Sequence, residues 1–180
     1  PGGEMVEFEI AYTFGWEPLQ QYLIAFPGGR FQALSLAWDT EREEWFHLYG
    51  DQDIPADDWL HWTRSAQTWN GMCAECHSTN LRKGFDPETN SFSTTWSEID
   101  VSCEACHGPG SEHVAWAAVR EADRPAAGDD PRLVVRLKDQ VPAAWNIDSE
   151  TGIAERSPPR RSHVEVELCA RCHSRRALTS

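Results

Sequence analysis

The residues best equipped for chemistry in this 180-residue chain are six cysteines, taken in pairs, each pair followed by a histidine. They form three words: Cys73-Ala74-Glu75-Cys76-His77, Cys103-Glu104-Ala105-Cys106-His107 and Cys169-Ala170-Arg171-Cys172-His173. This is the attachment signature for c-type haem. Two thiols three positions apart add to the two vinyl groups of one haem, and the next residue offers an imidazole to the iron. One helical turn brings both sulfurs to one edge of the ring. Other chemistries fit less well. A redox dithiol usually occurs once, beside a βαβ pattern. A four-cysteine zinc site uses pairs two at a time and would leave the third unexplained. A disulfide framework rarely repeats a histidine after every pair. The sequence therefore predicts three covalently attached haem c groups, on Cys73 and Cys76, Cys103 and Cys106, and Cys169 and Cys172, with His77, His107 and His173 on the irons.

A low-spin electron-transfer haem needs a second axial ligand. Four histidines remain: His47, His61, His113 and His163. Methionine, the usual alternative, is confined to Met5 and Met72, and Met72 abuts Cys73 too closely to reach round its own ring. The expectation is bis-histidine ligation, with one of the four histidines to spare. Chain reach refines it. His113 follows His107 by six positions, at most about 20 Å when fully extended, and Gly108-Pro109-Gly110 turns that path. His113 should therefore bind a different haem from the one His107 holds, and His163, ten positions before His173, is expected to behave likewise. Arg82, Lys83, Arg160, Arg161, Arg175 and Arg176 lie near the words and are candidate partners for propionates, which suit guanidinium geometry.

Nine Trp, seven Phe and three Tyr accompany modest aliphatic content, and one haem would fall to every 60 residues. Flat rings packing against flat macrocycles fit that composition, and much of the buried apolar surface would be cofactor. The bare chain is expected to fold poorly. A formal charge of −13 speaks against nucleic acid as a partner, whose backbone would repel it. It suits steering toward a basic redox protein. No stretch approaches the roughly 20 apolar residues of a membrane span. Haem attachment to such words takes place outside an energy-transducing membrane, so a periplasmic or extracellular location is expected.

The elements that must position these groups read as α+β with little regular structure. Residues 1–56 form a β-rich scaffold and 57–180 a haem-packed, mainly helix-and-loop region. Val6, Phe8, Ile10 and Tyr12 alternate with polar or small residues at strand period. Leu19–Phe26 is a second strand, closed by Pro27-Gly28-Gly29. Arg30–Trp38 is a third and Trp45–Tyr49 a fourth, completing an antiparallel meander. Asp57 or Asp58 is expected to cap a helix through Trp59, Leu60, Trp62, Ala66 and Trp69. Residues 78–100 read as loop, with a turn at Asp86–Asn90 and a strand-like stretch at Ser91–Trp96. Ser111 should cap a helix over 112–123. Residues 124–131 form a connector, Leu133–Leu137 and Trp145–Ile147 short strands, and Ser149–Gly152 a turn.

The stretches Cys73-Ala-Glu-Cys-His-Ser-Thr-Asn80 and Cys103-Glu-Ala-Cys-His-Gly-Pro-Gly110, with His113 beyond, resemble a family of multihaem c-type cytochromes. That family is related to the tetrahaem electron acceptor of hydroxylamine oxidoreductase, and some members are fused to tetratricopeptide repeats. Tyr12-Thr-Phe-Gly15, Pro27-Gly-Gly-Arg30 and Trp38-Asp39 are similar to what precedes the haem region in such members. The resemblance implies bis-histidine haems in close pairs, with His113 as distal ligand to a neighbour. Members typically carry a further haem word upstream and often more downstream, which this chain lacks. The resemblance therefore implies a piece of a longer protein or a variant, and either would admit ligands from missing segments or from other cytochrome chains. The leading function is single-electron relay without bond chemistry. The alternatives are a multihaem oxidoreductase of nitrite or hydroxylamine type, with one open iron, and a subunit of an extracellular haem filament.

Overall fold

A computed structural model describes residues 6–119, 123, 132–137, 143–159 and 162–174. It divides into two compact units, one within Pro1–Val101 and the other within Ser102–Arg176. The first haem word thus shares a unit with the N-terminal strands, and the other two lie in the second unit.

The first unit is built on a small antiparallel sheet. Strands β1 (Ile10–Phe14), β2 (Leu19–Phe26), β3 (Arg30–Ala33), β4 (Leu36–Asp39) and β5 (Glu44–His47) make it up. β1 lies on one edge of β2, and both β3 and β4 lie on the other, with β5 beyond β4. The expected meander is present. Its third strand is broken at Leu34–Ser35, although the Leu34 amide still donates to the Tyr22 carbonyl at 2.9 Å. The first strand begins at Ile10 rather than Val6. The turn between β2 and β3 uses Gly28 and Gly29 at φ +75° and +70°, backbone that only glycine adopts at no steric cost. A Cβ on Gly29 would also lie 2.0 Å from the Phe92 carbonyl oxygen. That contact seats a second hairpin, β6 (Phe85–Asp86) with β7 (Ser91–Phe92), against the first. Residues 78–100, expected as loop, extend this hairpin through bridges at Arg82–Thr95 and Thr79–Glu98.

The expected helix over Trp59–Trp69 does not form. Asp58 does not cap a helix; its carboxylate accepts the Leu60 amide at 2.9 Å in a local turn. A succession of turns follows, then a 3-10 turn at Ser65–Gln67 and a single helical turn, α1 (Trp69–Met72). The physical reason lies in Gln32 on β3, whose buried side-chain amide donates to the carbonyls of Trp62 and Arg64, each at 3.0 Å. A continuous helix would have consumed those acceptors internally.

The second unit holds α2 (Cys103–His107), α3 (Ser111–Ala118), the hairpin β8 (Ala144–Ile147) with β9 (Ala154–Ser157), and α4 (Val164–His173). α3 is shorter than expected, because the chain turns extended at Val119 (ψ 130°), and Ser111 is its first residue rather than its cap. Arg132–Leu137 is irregular backbone, not a strand. The turn joining β8 and β9 falls where expected, and Asp148 organises it by accepting the amides of Glu150 and Thr151, each at 2.8 Å. The 124–131 connector and Met5 lie outside the described residues.

Candidate haem-binding site

The first word is positioned by a core of Leu23, Ala33, Trp69 and Ala74, against which Cys73, Phe14, Phe31 and Trp96 pack. Burial of apolar rings supplies the driving force. Trp96 and Phe31 meet Trp69 edge-on, with ring centroids 5.3 and 6.4 Å away. Fully buried Asn70 registers α1 on the sheet. Its Oδ1 accepts the Phe31 amide at 2.7 Å, and its Nδ2 donates to the Gly29 carbonyl at 3.1 Å and to Thr94 Oγ1 at 2.8 Å. Thr68 completes the join by donating to Gln32 Oε1 at 2.7 Å. From Trp69 the chain winds on through the word. The amides of Cys73 and Ala74 both reach the Trp69 carbonyl, and those of Cys76 and His77 reach Cys73 and Ala74. Burial, and secondarily the Cys76 sulfur, push the free Cys73 thiol up to about 11. His77 lies edge-on to Phe14, with centroids 5.7 Å apart.

The second word is a complete helical turn. Ser102 precedes it with extended backbone, and Gly108 stops it at φ +72°, its amide returning to the Glu104 carbonyl at 3.0 Å. Glu104 also accepts the Gly110 amide at 2.7 Å, which fixes the Gly-Pro-Gly turn ahead of α3. His113 sits in the first turn of α3, its ring stacked on Trp116 at 5.6 Å and 28°. The third word closes α4, and His163 stands at the opposite end of that helix as its N-terminal boundary residue.

His47 and His61, the other two candidate ligands, line one cavity of about 190 Å³ together with Ser35, Tyr49 and Asp53. His47 Nδ1 accepts the Tyr49 amide at 3.1 Å, so its proton resides on Nε2, which donates to Ser35 Oγ at 2.9 Å. His61 Nδ1 accepts the Thr63 amide at 3.4 Å and contacts Thr63 Oγ1 at 2.9 Å. Binding iron through Nε2 would require both rings to change tautomer. Of the basic residues placed near propionates, Arg82 bridges to Thr95 through its backbone. Arg160, Arg161, Arg175 and Arg176 lie outside the described residues.

Three features fit these residues to haem. None of the six cysteines is tied up in a disulfide. The indole nitrogen of Trp69, fully buried beside Cys73, has no hydrogen-bond partner, a state that costs about 1–3 kcal/mol and that an added acceptor would relieve. In the second unit, no described residue is buried; every buried residue described belongs to the first. A compact unit with no buried side chain among its described residues suits one whose interior is a macrocycle. Sequence reasoning missed Gln32, Asn70 and Trp69 as positioning groups, because single polar or aromatic residues in a short strand or turn carry no periodic signal.

Paired thiols with histidines on successive turns are an arrangement that could hold covalently attached haem. The family model described as cytochrome c554 and c-prime matches residues 55–108, which spans the first two words. No curated protein matches the chain. Among solved structures, the crystal structure of the outer cell wall cytochrome OcwA is similar at 18% identity and a TM-score of 0.40, over 67% of this chain. The chain spans about a fifth (21%) of that protein's length. No helix among the described residues is long and apolar enough to cross a membrane.

Proposed function

We propose that this chain relays single electrons through three covalently attached haems with histidine on both faces of each iron. The observation that carries the proposal is the exclusive use of all six cysteines in three Cys-x-x-Cys-His words. When bound, haem supplies a one-electron couple that needs no bond making. The protein's residues anchor it, shield it from water and hold it close to its neighbours. The aromatic core shields the first site, while α2 and α4 present the thiols and histidines of the other two.

Cross-ligation is part of the proposal, with His113 and His163 as the leading distal ligands. α4 puts His163 about 15 Å along the helix axis from His173, at 1.5 Å per residue, a separation that supports the reading in which the two histidines serve different irons. The acidic surface favours a basic redox partner, and the attachment chemistry favours the periplasm or the cell exterior. Kinship with the electron acceptor of hydroxylamine oxidoreductase, and assembly with other cytochrome chains or further segments of the same protein, extend this proposal.

The test is direct. The denatured holoprotein should weigh three haems more than the bare 20.4 kDa chain, and carbon monoxide should leave the reduced Soret band in place. A bare mass would end the haem proposal. A clear shift with carbon monoxide would replace the relay with an open-iron oxidoreductase.

A further inference from the structure

Of the three motif histidines, only His107 has a ring hydrogen bond to a described residue. Its Nδ1 lies 3.1 Å from the Val135 carbonyl oxygen. A carbonyl can only accept, so Nδ1 donates, and the lone pair is left on Nε2. The bond is reciprocated along the backbone, where the Val135 amide donates to the His107 carbonyl at 3.0 Å. Beside it, the chain at Gly108 runs at φ +72° so close to Val134 that a Cβ there would lie 3.1 Å from the Val134 Cβ. Three contacts thus hold irregular segment 132–137 against the end of the second word. Residues 132–137 themselves are neither helix nor strand.

We propose that segment 132–137 is a strap that positions His107 for its iron: the Val135 carbonyl fixes the imidazole tautomer and plane and tunes the ligand's basicity. This rests on the proposal that a haem occupies Cys103 and Cys106. An acceptor on Nδ1–H pushes electron density into the ring and makes Nε2 the stronger donor. A stronger donor favours ferric over ferrous iron, so the strap lowers the potential of the second haem. Val135 acts through His107 and is a positioning residue; its side chain has no part in either bond.

The experiment compares Val135→Pro with Val135→Ala in the haem-loaded protein, using redox titration followed optically. Proline removes the amide that reaches His107 and displaces the carbonyl, whereas alanine keeps both backbone groups. Val135→Pro should raise one midpoint potential, weakening the ferric preference of one haem about tenfold, or 59 mV for a one-electron couple. Val135→Ala should leave all potentials in place. Unchanged potentials in Val135→Pro, or equal shifts in both variants, would overturn the strap. If Val135→Pro fails to mature, wild-type holoprotein labelled with nitrogen-15 histidine and carbon-13 valine decides. Reduced, it should show through-bond coupling between His107 Nδ1 and the Val135 carbonyl, and its absence would overturn the proposal. A haem-free mass for the peptide containing Cys103 and Cys106 would instead fail the underlying haem assignment, so the two failures are told apart.

Discussion

Asn70 makes three hydrogen bonds from a fully buried position, to the Phe31 amide, the Gly29 carbonyl and Thr94 Oγ1. It stands three residues before Cys73, so the orientation of the first haem word depends on it. Asn70→Leu keeps the bulk and removes every polar partner. Each buried group left unsatisfied costs about 1–3 kcal/mol, so the variant should lose about 2–4 kcal/mol in denaturant unfolding of the haem-loaded protein. A loss below about 0.5 kcal/mol would mean that water or a shifted backbone substitutes for it. Gln32 bears the comparable load on the segment before α1, where its amide holds two carbonyls.

At the scale of elements, the hairpin of β8 and β9 offers a pH-dependent test. The amides of Thr151 and Glu150, with a side-chain contribution from Thr151, hold the exposed Asp148 carboxyl below its ordinary 3.8. A carboxyl depressed in the folded state stabilises the fold above its unfolded pKa, and that stabilisation disappears as pH falls through the folded value. The hairpin should hold its register at neutral pH and loosen only in acid, below about pH 4. Carboxyl carbon resonances should titrate at Asp148 with a midpoint under 3.8, and Asp148→Ala should weaken the turn at every pH. A midpoint at or above 3.8 would show that the turn does not grip the charged form.

The same elements show where the sequence was informative. Period-two alternation and Pro27-Gly28-Gly29 disclosed the meander, because half-buried strands and glycine turns leave local signals. The helix expected from Trp59 to Trp69 was overridden by Gln32, a residue 30 positions away from Trp62 that competes for its carbonyl. The haem words were legible because their chemistry fixes their spacing. The strap at Val135 was not, since it acts through main-chain atoms common to every residue.

For the whole molecule, the asymmetry between the units decides how the chain should behave without cofactor. The first unit carries Leu23, Ile24, Ala33, Ala37, Trp69 and Ala74 as a buried apolar set. The second has no buried residue among those described. Expressed without haem attachment, the chain should retain slow amide exchange in β2, β3 and residues 69–79. Residues 102–119 and 162–174 should exchange at nearly unfolded rates. Uniformly slow exchange would show that the second unit holds itself together without a macrocycle. This narrows the sequence-based expectation of a poorly folded bare chain to one of its halves.

The division between Val101 and Ser102 also has an accounting consequence. If all three words are loaded, a single cut of the polypeptide there partitions the pigment unequally. The N-terminal piece, with its one Cys-x-x-Cys-His, should leave a denaturing column with one equivalent of colour, and the C-terminal piece with two. Stained by its own absorbance, the molecule would report its stoichiometry as a ratio of two bands.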